Sequence, residues 1–226
     1  LLMTLVIQPM QLVKAQAASG AVVTGASGTQ YTLGHEYVKQ LNINTGNITI
    51  TDSNYTQTNG LTENWDANED AYVIKGQGTS ANTITISTTN YPVTLYLLET
   101  QWSGNIVLSS SSNTASVKIV ILGDVSCSRF IRSGYSTTTS KQVVEVHGYN
   151  ENSNLTANYL MSGSMGSHAR IGTLLIDGVN LICNKIAENY SSGTSGNMKY
   201  WTVFLNNLII MNSEITQSAA TTDAEG

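Results

Sequence analysis

Charge is what this sequence has least of. Asp, Glu, Lys and Arg make up 11% of its 226 residues, less than half the roughly 25% usual in soluble proteins. A helical bundle or coiled coil leans on Glu and Lys, and that scarcity excludes it. The 10 basic residues stand against 15 acidic ones, a formal net charge of −5. There is no basic face for a phosphate backbone, so nucleic acid is excluded as a partner. Proline and cysteine occur twice each, and two distant cysteines hold no metal. No apolar run approaches the roughly 20 residues that a membrane-spanning helix needs. The 19 glycines lack the three-residue period of collagen, and a hydrophobic share of 41% exceeds that of most disordered tails.

Hydroxyls and amides fill the gap. The chain carries 28 Thr, 25 Ser and 22 Asn, about a third of its residues. A surface of such groups keeps a β-rich globular protein in solution without charge.

The N-terminus opens with a mostly apolar run, Leu1 to Ile7, and reaches the small-x-small triplet Ala15-Gln16-Ala17. That order is the pattern of a secretory signal peptide. Pro9 and two glutamines interrupt it where a core helix would continue. Residues 1–17 are therefore read as a partial signal peptide, residues 18–40 as an N-terminal cap or linker, and residues 41–226 as one β-domain cut at its C-terminal end. The expected location is secreted or cell-surface, with no transmembrane segment in the mature chain. Export permits a disulfide between Cys127 and Cys183. Each cysteine also fits a small apolar side chain in or beside a strand, and two buried thiols is the reading adopted.

From about residue 40, short β-branched runs recur between turn residues, at 43–50, 71–74, 83–86, 93–98, 106–108, 117–122, 143–146, 172–176, 179–183, 203–205 and 208–215. Ile84 and Ile86, Leu95 and Leu97, and Val117, Ile119 and Ile121 place every second side chain on one face, which predicts strands. The centres Thr85, Tyr96, Val107 and Ile119 advance by 11 to 12 residues, a regularity shared by sandwiches, barrels and solenoids. Only Asn59-Gly60 and Asp177-Gly178 offer tight hairpin dipeptides. The second lies between two apolar runs with no polar loop, as a strand turning a corner would, and 208–215 repeats the shape. The expected fold is all-β, a right-handed parallel β-helix, with a β-sandwich as the alternative. Stacked rungs repel like charges and accept hydroxyls and amides, which fits the composition.

Four blocks carry a resemblance: Gly46-Asn47-Ile48-Thr49-Ile50-Thr51-Asp52-Ser53-Asn54-Tyr55-Thr56-Gln57, Tyr72-Val73-Ile74, Ala81-Asn82-Thr83-Ile84-Thr85-Ile86 and Pro92-Val93-Thr94-Leu95. With them the chain from about residue 37 resembles the N-terminal module of repeat-rich β-helix surface proteins of Gram-positive bacteria, of the adhesin-like or carbohydrate-binding kind. The resemblance implies an architecture more than an activity. In such proteins the β-helix continues with glycine-rich turns, often to a wall-attachment region; this chain stops at 221–226 without one and reads as a fragment.

Candidate sites are few. Asp66, Asn68 and Asp70 alternate like the first ligands of a calcium loop, but Ala71 and Gln77 stand where the turn glycine and bidentate Glu belong. A solvated acidic loop is the reading there, with a weak structural calcium site as the alternative. Acids on strands or corners are Asp124, Glu145, Asp177, Glu188 and Glu214, with Arg129, Arg132, Arg170, Lys185 and His147 as bases or charge stabilisers. Period-2 geometry makes Glu145 and His147 neighbours on one face, either as a surface ion pair or as the best available catalytic pair. There is no G-x-S-x-G frame, no P-loop and no G-x-G-x-x-G, so no nucleotide cofactor is expected. Eleven Tyr and three Trp against two Phe skew the aromatics toward rings with a polar handle. Trp65, Trp102, Trp201 and Tyr190 are the candidate glycan contacts, against ordinary packing at corners. The expected function is non-catalytic: a β-helix surface for adhesion or for contact with a polysaccharide or cell-surface glycan. A polysaccharide lyase or glycoside hydrolase is the alternative.

Overall fold

The computed structural model describes residues 20–58, 61–64, 71–108, 115–133, 142–162, 169–188, 190–192, 199–201 and 203–217. The proposed signal segment, Trp65 and the candidate calcium ligands Asp66, Asn68 and Asp70 lie outside them. The described elements are strands and one short 3-10 turn, Ile43–Thr45, so the protein is all-β. In chain order the first strands are β1 (Val22–Thr24), β2 (Gln30–Thr32), β3 (Lys39–Asn42), β4 (Ile48–Thr51), β5 (Asn54–Gln57), β6 (Leu61–Asn64) and β7 (Ala71–Lys75). There follow β8 (Ile84–Ser87), β9 (Val93–Leu98), β10 (Asn105–Leu108), β11 (Val117–Leu122), β12 (Asp124–Ser133), β13 (Val143–Gly148) and β14 (Asn154–Ser162). The last are β15 (Ala169–Asp177), β16 (Asn180–Glu188), β17 (Tyr190–Ser192), β18 (Lys199–Trp201), β19 (Val203–Met211) and β20 (Ile215–Gln217).

Two sheets dominate. A seven-stranded sheet, order β19-β15-β13-β11-β9-β7-β3, is parallel throughout. A nine-stranded sheet runs β20-β16-β14-β12-β10-β8-β4-β5-β6; it is parallel from β4 to β20 and ends in the antiparallel meander β4-β5-β6. From β7 to β16 consecutive strands fall alternately in the two sheets. The 11- to 12-residue cadence is thus the step between sheets. The step within a sheet is longer, from 22 residues (Ile84 to Ile106) to 36 (Ile48 to Ile84).

In-register pairing stacks like on like. Tyr72, Leu95, Ile119, Val146, Ile176 and Ile210 form one column of the seven-stranded sheet. Ile48, Ile84, Ile106, Ile131 and Met161 form a facing column of the other. Apart from Ile210, which is exposed, both columns enter one core between the sheets. Each buried Ile or Leu there contributes about 1.5–3 kcal/mol.

Runs 93–98 and 117–122 lose their alternation in their second halves, and the β1–β2 hairpin explains it. Val23, Tyr31 and Leu33 lie on Val73, Tyr96, Leu98, Val120 and Leu122, the outer face of the seven-stranded sheet. Strand segments buried on both faces read as continuous apolar runs. Within residues 18–40, expected as a cap or linker, the segment from Val22 to Leu33 contributes this two-stranded cover.

Asp177-Gly178 is not a hairpin. β15 and β16 lie in different sheets, and Gly178 turns between them at φ +68°. The same corner is left-handed at Glu99 (φ +43°), Gly123 (φ +71°) and Asn212 (φ +48°). Cys127 and Cys183 are free and buried. They share one inward column with Ala157 between them, about two strand spacings or ~9.6 Å apart, too far to bridge. Burial raises the pKa of both thiols. Folded protein should resist a thiol reagent, and denatured protein should consume two equivalents without prior reduction; a reduction requirement would contradict the column.

Candidate functional site

Among the described residues, three cavities border the corner between the end of the seven-stranded sheet's strands and the start of the other sheet's. The largest, about 490 Å3, lies between the hairpin tip at Ala26, Ser27 and Thr29 and the corner residues Gln77, Glu99, Gln101, Asp124, Asn152 and Asn154. Its lining is mostly hydroxyl, amide and carboxylate.

Glu99 is the organising residue. It follows β9 directly, only 8% exposed, in a left-handed conformation that costs a non-glycine residue roughly 1–2 kcal/mol. Its carboxylate is fully occupied. Oε2 accepts from the Ser27 N–H at 2.6 Å, and Oε1 accepts from the Ser27 hydroxyl at 2.6 Å and the Tyr31 hydroxyl at 2.9 Å. The Gln77 side-chain amide donates to the Glu99 carbonyl. Burial pushes the Glu99 carboxyl upward, but hydrogen bonds from Ser27, Tyr31 and the Ala26 N–H outweigh it and hold the group below its ordinary range. The Tyr31 hydroxyl is pushed up to about 12 by burial and by its bond to Glu99.

Asp52 is spent in a similar way. It accepts from the N–H groups of Thr89, Asn90 and Tyr91 at 2.9 to 3.3 Å and pins that loop. Burial opposes ionisation there too, and these bonds override it to lower the pKa. Along the nine-stranded sheet a polar ladder replaces charge: Asn154 Nδ2 donates to Asp124 Oδ1 at 2.7 Å, and Asn180 Nδ2 to Asn154 Oδ1 at 3.1 Å.

On the outer face of the seven-stranded sheet, Glu145 and His147 meet as the two-residue period predicts, with His147 Nε2 3.0 Å from Glu145 Oε2. Rung pairing sets Asp177 opposite His147, and Nδ1 lies 3.7 Å from Asp177 Oδ2. Asp177 also accepts from Asn212 Nδ2 at 2.9 Å. The trio occupies open sheet surface and lines none of the three corner cavities.

The predicted glycan aromatics do not form one platform. Trp102 is 3% exposed and belongs to the central core, so its ring face is unavailable to a ligand. Trp201 and Tyr190 are cross-strand partners in the small β17–β18 sheet. The remaining acids and bases are dispersed. Asp124 lines the large cleft. Arg129 stands over the Tyr159 ring at 5.5 Å, and Lys185 lines a separate cavity with Cys183 and Ile215. The register places Arg132 opposite Val107 and Ser162, Arg170 opposite Phe204, and Glu188 opposite Ser162. Glu214 precedes β20 and its carbonyl accepts from the Leu181 N–H at 2.8 Å.

Among the described residues no helix is long and apolar enough to cross a membrane, and no group of three or more His, Cys, Asp or Glu could hold a metal ion. No protein-family model, curated protein or solved structure matches the chain.

Proposed function

We propose that this chain is a secreted or cell-surface segment of a right-handed parallel β-helix that contacts glycans and performs no chemistry. The alternation of strands between two largely parallel sheets supports the β-helix reading, and the signal-like residues 1–17 support export. The Gram-positive surface-protein resemblance belongs to the same proposal. The observation that carries a binding role is the 490 Å3 cleft, whose lining offers amides and hydroxyls while its most buried acid, Glu99, has its carboxylate committed to the hairpin. A carboxylate with every acceptor site filled neither takes a proton from a substrate nor attacks one.

A glycan array probed with the wild type and with Gln101→Ala/Asn152→Ala tests this. Retention should appear with the wild type and drop about tenfold in the double variant, since two amide contacts are each worth about 0.5–1.5 kcal/mol. Silence on the array, with no loss of cell attachment in the variant, would reduce the chain to a structural spacer. Polysaccharide turnover that disappears in Glu145→Gln would overturn the non-catalytic reading in favour of a lyase or hydrolase.

A further inference from the structure

The cleft has a charge pattern that selects among glycans. Among the described residues its lining contains the carboxylates of Glu99 and Asp124 and no Lys, Arg or His. Lys75 lines a neighbouring cavity that shares Ala26 and Gln77, and its ammonium is directed to Gln40 Oε1 at 3.3 Å. Asp124 is exposed. Its Oδ1 accepts from Asn154, while Oδ2 takes no protein donor among the described residues. The Gln101 and Asn152 side-chain amides are likewise exposed and without side-chain partners among the described residues.

These groups are spaced by the fold. Gln77, Gln101 and Ser126 are consecutive bridge partners along the corner, and Asp124 and Asn154 pair in adjacent strands. Neighbouring rungs are about 4.8 Å apart, close to the advance per residue of an extended pyranose chain. A sugar chain lying along the corner therefore meets one polar group per residue and two fixed negative charges. Uronates are repelled, neutral sugars gain hydrogen bonds only, and a protonated amine gains the open Asp124 Oδ2 as well.

We propose that this cleft takes oligosaccharides of free hexosamine units through their ammonium groups, in preference to N-acetylated or uronate chains. The proposal rests on the glycan-contact reading above and names the ligand class for it. Titration calorimetry at about pH 5.5, where amine and carboxylate are both charged, compares glucosamine, N-acetylglucosamine and galacturonate oligomers of equal length. Free-amine oligomers should bind about fivefold tighter than acetylated ones, the worth of an exposed ion pair, and the margin should shrink in high salt. Asp124→Asn should bring the ratio to about one, Gln101→Glu should enlarge it, and Glu145→Gln, on the other face, should leave it unchanged. Equal affinity for free and acetylated chains, tightest binding of the uronate, or a preference surviving Asp124→Asn would overturn the proposal while leaving glycan contact intact. Absence of binding to all three by the wild type would overturn the glycan-contact reading itself.

Discussion

Gly148→Ala should lower the melting temperature by about 10 °C, whereas Gly178→Ala, one rung away, should lower it by about 3 °C. A loss of ~4 kcal/mol corresponds to the first figure and ~1 kcal/mol to the second in a chain of this size. The difference separates two reasons for a glycine. Gly148 ends β13 opposite Ile121, in an inward column. A Cβ there would lie 1.8 Å from the Gly178 carbonyl oxygen and 2.7 Å from its carbon. Both atoms are backbone of the next rung, so no rotamer change relieves the clash and the strands must part, at the upper end of what overpacking costs. Gly178 has φ +68°, and its own Cβ would meet nothing nearer than the Gly148 nitrogen at 3.9 Å. Its cost is the left-handed backbone alone, which Asn212 already bears one rung further on. Paired thermal melts decide the point. A larger loss in Gly178→Ala would mean that conformation, not close approach, governs this corner.

What could be read along the chain depended on how local the determining contact is. Strands 93–98 and 117–122 were legible to the residue because their inward positions, Val93, Leu95 and Leu97 and Val117, Ile119 and Ile121, alternate without a break. Asp177-Gly178 was legible as a corner because no polar loop separated the flanking runs. The β1–β2 hairpin was not: each strand has three residues and a single buried side chain, too short for a period to show. Strand β12 escaped because the register shifts between Asn105 and Ile106 against it, which breaks the two-residue period at Arg129. Candidate sites follow the same rule. Glu145 and His147 lie two residues apart and were read directly, but Asp177 reaches His147 only through rung register. Glu99 carried no signal along the chain, since its donors Ser27 and Tyr31 stand 72 and 68 residues earlier. Trp102, beside Ser103-Gly104, looked like a loop aromatic. Its ring is in the core instead, and Gly104 leaves room beside it: a Cβ there would sit 1.9 Å from the Asn82 carbonyl oxygen and 2.8 Å from Trp102 Cδ1.

Glu99→Gln should release the N-terminal hairpin at a cost of about 3 kcal/mol while leaving the two sheets folded. The substitution keeps the shape of the side chain and replaces one acceptor oxygen by an NH2 group, which then faces the Ser27 and Ala26 N–H donors. Hydrogen bonds to a charged acceptor are worth ~1.5–3 kcal/mol each, and a buried donor left unpaired adds its own desolvation cost. The hairpin is the element at risk because Glu99 ties its tip, whereas its other ties to the sheet are the apolar contacts of Val23, Tyr31 and Leu33 and the Tyr149 hydroxyl on the Thr32 backbone. Hydrogen exchange should therefore accelerate at Val22–Thr24 and Gln30–Thr32 and stay slow in β9 and β11. The pH dependence has a fixed sign. The folded-state pKa of Glu99 is depressed, so its stabilisation is fully present above the unfolded carboxyl value of about 4.3 and is lost as pH falls through the lower folded value. The stability gap between wild type and Glu99→Gln should thus be widest at neutral pH and close in acid. Glu99→Gly separates the remaining contribution: it relieves the left-handed strain by about 1 kcal/mol, yet should not restore hairpin protection, because the acceptor is gone. A gap that does not vary with pH, or full hairpin protection in Glu99→Gly, would show that contacts other than the Glu99 carboxylate hold the cover in place.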